Sequence, residues 1–187
     1  GTAAQGVVYA PADLDNYNTA SGSVDVTVAK ASAKVALDDL AQTYDGMAKS
    51  ATATTTPTGL VADITYDGSA TAPTAAGSYA VVATVNDANY EGSASNTLVI
   101  AKAAATVTLG GLFQTYDGTA KSATATTEPA GLTVNFTYDG SATAPAAAGS
   151  YAVVATVNDA NYAGFASNTL VIAKAAAAVE LGALAQT

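Results

Sequence analysis

The stretch of sequence that decides the fold is residues 132–140, Leu-Thr-Val-Asn-Phe-Thr-Tyr-Asp-Gly. Large apolar side chains occupy every second position from Leu132 to Tyr138, and polar side chains lie between them. Successive side chains of a strand point to opposite faces, so this alternation predicts a β-strand with one buried face. Asp139 and Gly140 tolerate the positive φ of tight turns, and a turn should therefore follow the strand.

Segments on both sides of this stretch have the same character. Alternating or β-branched residues predict further strands at 106–109, 112–116, 149–158 and 166–174, and residues 121–127 form one more extended segment. About six strands in one unit predict a small all-β module, which is either a compact sandwich or a β-grasp-like sheet. The pattern does not choose between these two topologies.

Two segments leave room for helical turns. Residues 158–164 have the Asn, Asp and Gly density of a hairpin connection that could include one helical turn. Residues 175–178 are four consecutive alanines, and they are the one place where the sequence allows a short helix.

The chain repeats itself with a period of 72 residues. Residues 31–102 align with residues 103–174 without a gap, and 56 of the 72 positions are identical. Residues 175–187 repeat the start of this unit, and residues 1–30 resemble its closing half. The sequence therefore predicts two complete β modules, at 31–102 and 103–174, between parts of a preceding and a following repeat.

Composition excludes several kinds of function. The 187 residues include no His, Cys, Arg or Trp, and 47 of them are Ala. The usual general bases, thiol nucleophiles and zinc ligands are therefore absent, and we expect neither enzymatic activity nor a cofactor. A formal net charge of −9 disfavours nucleic acid and anionic membranes as partners. No run of 18 strongly apolar residues occurs, so we expect no membrane insertion.

Acidic residues near turns raise the possibility of calcium binding, because Ca²⁺ takes six to eight oxygen ligands. No dense acidic loop is present, and the Asp38-Asp39 pair of the first module is replaced by Gly110-Gly111 in the second. We therefore assign no metal site. The acidic residues considered are Asp38, Asp39, Asp87, Glu91 and Asp159.

Repeated Lys and Asn residues raise the possibility of an isopeptide crosslink, which needs a buried Lys beside an Asn and a carboxylate. The lysines adjoin Ser or Ala at predicted strand ends, where a solvated ammonium is the ordinary state, so we expect no crosslink. The pairs considered are Lys49/Lys121, Lys102/Lys174, Asn86/Asn158 and Asn96/Asn168.

The Tyr-Asp-Gly motif occurs four times and has two interpretations. Repeated tyrosines could form a sugar-stacking surface, or each Tyr could close a strand end while Asp-Gly makes a turn. Its presence twice in each module favours the architectural interpretation. We therefore assign no catalytic, cofactor-binding or metal-binding residues. The four tyrosines are Tyr44, Tyr66, Tyr116 and Tyr138.

A longer signature resembles a known family. Residues 40–50 and 112–122 share Leu-Xaa-Gln-Thr-Tyr-Asp-Gly-Xaa-Ala-Lys-Ser, and each module also contains Ala-Gly-Ser-Tyr, Asn-Asp-Ala-Asn-Tyr-Xaa-Gly and a closing Val-Ile-Ala-Lys-Ala. This signature resembles the MBG-type repeats, of the YDG and YGX kinds, of large bacterial surface and adhesin-like proteins. The resemblance implies an extracellular or cell-surface location, many copies in series and no catalysis.

Three functions are compatible with this resemblance. The first is a structural spacer or stalk, in which the modules form an elongated rod and neighbouring repeats are the main partners. The second is an adhesive module that binds glycan or protein ligands. The third is an extracellular fibre subunit that pairs with other copies through strand edges. Because the sequence begins without an initiating Met or a signal peptide, we expect it to be a piece of a longer chain.

Overall fold

The structure is a computed structural model, and it describes residues 1–178. This part of the chain contains strands and no helix, which confirms the all-β prediction. The strands that precede the second module are β1 (Thr2–Tyr9), β2 (Ala20–Thr27), β3 (Ala31–Ser32), β4 (Lys34–Asp38), β5 (Ala41–Thr43), β6 (Thr52–Thr56), β7 (Ala62–Tyr66), β8 (Gly77–Val85), β9 (Tyr90–Glu91) and β10 (Ser93–Ala101). The others are β11 (Ala103–Ala104), β12 (Thr106–Gly110), β13 (Phe113–Thr115), β14 (Thr124–Glu128), β15 (Val134–Tyr138), β16 (Gly149–Val157), β17 (Tyr162–Ala163) and β18 (Phe165–Ala173).

The second module consists of a four-stranded sheet and a two-stranded sheet. The order in the larger sheet is β13-β18-β16-β15, in which β13 is parallel to β18 and the other pairs are antiparallel. Strands β12 and β14 form the antiparallel two-stranded sheet. Corresponding strands of the first module have the same order, β5-β10-β8-β7, and the same small sheet, β4-β6.

The core of the second module lies between these two sheets. Val107 of β12 clusters with Ala155 and Val157 of β16, and Leu109 packs against the same cluster. Leu170 and Ile172 of β18 are almost completely buried in a second cluster. The module is therefore a small sandwich in which two short sheets exclude water from one layer of side chains.

Two short parallel pairs accompany the sheets. β3 pairs with β9 in the first module, and β11 pairs with β17 in the second. Each pair joins the first residues of a module to the loop that precedes its last long strand. The loop therefore closes each module on its own first strand.

The chain divides into two compact units whose boundaries differ from those of the sequence repeats. Unit 1 consists of Gly1–Leu40, Ser50–Pro73 and Tyr79–Leu98. Unit 2 consists of Ala41–Lys49, Thr74–Ser78 and the described residues from Val99 onward. Unit 2 thus combines the second module with three segments that belong to the first repeat in sequence.

The N-terminal residues form a hairpin. β1 and β2 pair along their full length, and every residue of both strands is exposed. The amino group of Gly1 donates a hydrogen bond to the Val28 carbonyl at 2.9 Å, which closes the open end of the hairpin. The assignment of residues 1–30 to a preceding repeat stays a prediction.

Both possible helical segments are non-helical where they are described. Residues 175–178 have no regular structure, since four alanines are too few to offset the cost of nucleating a helix. Residues 158–164 contain an Asx turn, in which the Asp159 carboxylate accepts the N–H groups of Asn161 and Tyr162 at 2.7 and 3.0 Å. The predicted head of a following repeat at 175–187 lies outside the described residues from 179 onward.

Candidate functional site

The four Tyr-Asp-Gly motifs fall into two structural kinds. Tyr66 and Tyr138 end the edge strands β7 and β15 and are buried. Asp67-Gly68 and Asp139-Gly140 have positive φ at both residues, as a two-residue hairpin turn requires. The hydroxyl oxygens of Tyr66 and Tyr138 accept the N–H groups of Ala51 and Ala123 at 2.9 and 3.0 Å. These two tyrosines are therefore core residues, as the architectural interpretation requires.

The other two tyrosines, Tyr44 and Tyr116, lie nearer the surface. Tyr44 is half-buried, whereas Tyr116 has 43% of its surface exposed. The Tyr44 ring packs edge to face against Tyr162, with ring centroids 5.4 Å apart. The sequence did not distinguish these tyrosines from Tyr66 and Tyr138, because all four precede Asp-Gly.

A loop with the sequence Asn-Asp-Ala-Asn-Tyr provides the partners of Tyr44. The Oδ1 atom of Asn161 in this loop accepts the Ala76 N–H at 2.9 Å, and the next residue is Tyr162. Lys102 donates from Nζ to the Asp159 carbonyl at 2.6 Å, and Ala103 N–H donates to the Asn161 carbonyl at 2.9 Å. We call this arrangement the Asn-Tyr junction. All of its residues lie within unit 2.

Sequence reasoning missed the Asn-Tyr junction. It treated residues 158–164 as a connection and gave Asn161 and Tyr162 no role. The available signal was the perfect repetition of Asn-Asp-Ala-Asn-Tyr at 86–90 and 158–162. A turn alone needs Asp and Gly but not a repeated Asn-Tyr pair.

In each module, the Asp of the first Tyr-Asp-Gly motif forms a close ion pair with the Lys four residues later. Lys49 contacts Asp45 and Lys121 contacts Asp117, both with an N–O distance of 2.5 Å. The Lys121 ammonium, together with the Thr119 hydroxyl, holds the pKa of the Asp117 carboxyl well below its usual range. Both carboxylates are exposed, so solvent screens the pairs and they contribute little to stability.

Three of the residues considered for calcium binding accept hydrogen bonds from the protein itself. Asp87 and Asp159 accept backbone N–H groups of their own loops. Asp39 accepts the Thr52 hydroxyl at 2.8 Å. Within residues 1–178, no group of three or more acidic residues lies close enough to hold a metal ion. Calcium binding therefore gains no support from the geometry.

Six of the eight residues considered for a crosslink have other partners for their side chains. Lys49 and Lys121 bind Asp carboxylates, and Lys102 binds a backbone carbonyl. Asn86 donates to the Asp63 carboxylate at 2.9 Å, and Asn96 accepts the N–H of its neighbour Thr97. None of these contacts joins a Lys to an Asn. The absence of a crosslink stays a prediction that an intact mass measurement can test.

Comparison with known families identifies the repeat. A family model described as the MBG domain matches residues 33–104 and again residues 105–176. The chain belongs to the MBG domain family. This confirms the resemblance noted in the sequence and the presence of two MBG repeats in tandem. No curated protein matches the chain.

Membership has consequences for function. The MBG repeats are a non-enzymatic family, which agrees with the lack of His and Cys. No helix among the described residues is both long and apolar enough to cross a membrane. The features that the described residues offer for a non-enzymatic function are the strand ends, the turns and the Asn-Tyr junction.

The buried Tyr hydroxyl gives a test of the core assignment. Tyr138→Phe is expected to lower the free energy of unfolding by about 1–2 kcal/mol, because the buried Ala123 N–H loses its acceptor. Urea denaturation followed by circular dichroism measures the change. Tyr116→Phe is the matched control and should change stability by less than about 0.5 kcal/mol. Equal losses in the two variants would contradict the distinction between the two kinds of Tyr.

Proposed function

We propose that this chain is a structural spacer of a large bacterial cell-surface or extracellular protein, and that it projects other domains without catalysis or a cofactor. The observation that carries the proposal is the tandem match of two nearly identical MBG repeats. A binding or catalytic site needs a local concentration of polar chemistry. The repeated carboxylates of Asp87 and Asp159 bind backbone N–H groups of their own turns, and Lys49 and Lys121 pair with Asp residues of their own loops.

Contacts within unit 2 support a spacer with a defined geometry. The Asn161 amide and the Tyr162 ring of one MBG repeat contact Ala76 and Tyr44 of the other. Residues 102–105 continue directly from β10 into β11 without a flexible Gly- or Ser-rich linker. Tandem repeats that contact their neighbours in this way keep a fixed spacing, and each repeat stabilises the next one along the chain.

Small-angle X-ray scattering tests the proposed role. A compact chain of this length would have a radius of gyration of about 16 Å. We expect a clearly larger radius of gyration and a pair-distance distribution with a long tail, measured at low protein concentration to avoid association. A radius of gyration near the compact value would contradict the spacer role.

An adhesive role is the second candidate, and exposed aromatic side chains favour it. Phe113 and Phe165 are 83% and 72% exposed, whereas the first repeat has Ala41 and Ser93 at the corresponding positions. Exposed aromatic rings can stack on sugars or insert into a protein partner. A glycan array distinguishes the two roles, because binding that is lost in a Phe113→Ala, Phe165→Ala variant would favour adhesion.

A further inference from the structure

The first residues of each MBG repeat pair with the segment that leads directly into its last strand. In the second repeat, β11 is parallel to β17, and the N–H groups of Ala103 and Ala105 donate to loop carbonyls at 2.9 and 2.8 Å. The Lys102 ammonium adds a hydrogen bond to the Asp159 carbonyl at 2.6 Å. We call residues 102–105 together with residues 159–163 the clamp of the second repeat.

The first repeat contains the same clamp, so the feature belongs to the MBG repeat itself. β3 is parallel to β9, and the N–H groups of Ala31 and Ala33 donate to the carbonyls of Asn89 and Glu91 at 2.8 and 2.7 Å. Lys30 donates to a carbonyl of the same loop at 2.7 Å. The Lys-Ala and Asn-Asp-Ala-Asn-Tyr sequences recur together because they are the two halves of one clamp.

In the second repeat, the clamp is continuous with the last long strand. Gly164 is the single residue between β17 and β18, and its carbonyl accepts the Val157 N–H at 2.8 Å in the register that β18 keeps with β16. A Cβ atom at Gly164 would lie 2.1 Å from the Ala105 carbonyl oxygen, so only Gly allows β11 this close. Residues 162–173 therefore form a nearly continuous strand that runs from the clamp to the end of the repeat.

This topology decides how tension acts on the repeat. A force along the chain pulls β11 toward its N-terminal end and, through β18, pulls β17 toward its C-terminal end. Because β11 and β17 are parallel, the two forces oppose each other along the strand direction and load all hydrogen bonds of the clamp at once. An antiparallel hairpin such as β15–β16, pulled at its open end, loses its hydrogen bonds one after another. Simultaneous rupture has the higher barrier.

We propose that the clamp enables each MBG repeat to resist tension along the chain. The proposal rests on the spacer role and extends it, from holding other domains at a distance to holding them under load. Tension reaches the last strand through the clamp, so the core between the two sheets is loaded only after the clamp has opened. The two clamps follow each other along the chain, and the weaker one sets the tension that the chain withstands.

Single-molecule force spectroscopy of the complete chain, held at both termini under constant force, tests the proposal. The two repeats should unfold in two events that each release roughly 200 Å or more of chain, because each residue extends by up to about 3.6 Å. Ala103→Pro removes one N–H donor of the clamp and should shorten the lifetime of one event about tenfold. Lys102→Met removes the ammonium but keeps the fold of the strand, and it should shorten that lifetime about threefold.

Ala104→Pro is the matched control. Neighbouring residues of a strand turn their N–H groups to opposite edges, so the Ala104 N–H points away from β17. This variant makes the same chemical change one residue later and leaves the hydrogen bonds of the clamp intact. Both lifetimes should remain those of the unaltered chain.

A second pulling direction separates the clamp from general stability. The chain has no Cys, so handles coupled to a Thr133→Cys, Asn158→Cys variant load only the open end of the β15–β16 hairpin. In this direction the second repeat should unfold sooner at the same force, and Ala103→Pro should not shorten its lifetime further. Leu170→Ala weakens the core and should shorten the lifetime in both directions.

Equal lifetimes in the two pulling directions, or equal effects of Ala103→Pro and Ala104→Pro, would overturn the proposal. If Ala103→Pro does not fold, an unchanged lifetime of Lys102→Met under tension along the chain overturns it. These results are distinct from the test of the spacer role. A compact chain in small-angle scattering contradicts the spacer role whatever its lifetime under force, whereas an extended chain with equal lifetimes contradicts the clamp alone.

Discussion

Leu170→Ala is expected to lower the free energy of unfolding of the second MBG repeat by roughly 2–5 kcal/mol. Leu170 lies on β18, its side chain is 0% exposed, and it belongs to the cluster that includes Val153 and Ile172. Truncation to Ala removes buried methyl groups and leaves a cavity, since a core this thin has few neighbours that can move into it. Urea denaturation followed by circular dichroism measures the loss.

The repeat itself offers a matched variant for this prediction. Leu98 has the same position in the first repeat and is also 0% exposed, so Leu98→Ala should cause a loss of similar size. Phe113→Ala removes a larger side chain from an exposed position and should cost less than about 0.5 kcal/mol. A loss below about 1 kcal/mol in Leu170→Ala would contradict the assignment of this side chain to the core.

Gly164→Ala is expected to destabilise the second repeat by about 3 kcal/mol or more, at or beyond the upper end of the range for overpacked sites. A Cβ atom at Gly164 would lie 2.1 Å from the Ala105 carbonyl oxygen. Neither backbone segment can move freely. Ala105 N–H donates to the Ala163 carbonyl, and Val157 N–H donates to the Gly164 carbonyl, both at 2.8 Å. Relief of the clash therefore requires the loss of hydrogen bonds that close the repeat.

Hydrogen exchange and urea denaturation together measure this effect. Protection should fall first at the amides of Ala103 and Ala105, because these residues pair with the displaced segment. Gly92→Ala is the matched variant in the first repeat, where the Cβ would lie 2.2 Å from the Ala33 carbonyl oxygen. Gly6→Ala has no atom within 4 Å and serves as the control. Unchanged stability of Gly164→Ala would show that residues 103–105 are not held against the loop.

Much of the fold could be predicted from the alternation of apolar and polar residues. The predicted strands at 106–109, 149–158 and 166–174 correspond to β12, β16 and β18 with ends that differ by one residue. The strand predicted at 132–138 begins two residues later, at Val134. Leu132 nevertheless packs against the core, so its place in the apolar pattern reflects burial rather than strand pairing.

The candidate site was predictable only in part. An Asp-Gly pair indicates a turn wherever it occurs, and the turns at Asp67 and Asp139 follow that rule with positive φ at both positions. Whether the preceding Tyr is buried depends on the sheet beside it, and nothing within Tyr-Asp-Gly encodes that sheet. Tyr138 ends a strand that faces the core, whereas Tyr116 follows the short β13 and remains exposed.

The sequence by itself determined the 72-residue repeat, the all-β class and the positions of the turns, since these depend on local composition and on a period of two. Only the tertiary structure decided which Tyr and Asn residues take part in contacts. The loops at 86–90 and 158–162 are identical in sequence, yet only the second contacts a Tyr ring and accepts a backbone N–H of another repeat. Identical segments have identical local preferences, and a contact also requires a partner that the fold brings within reach.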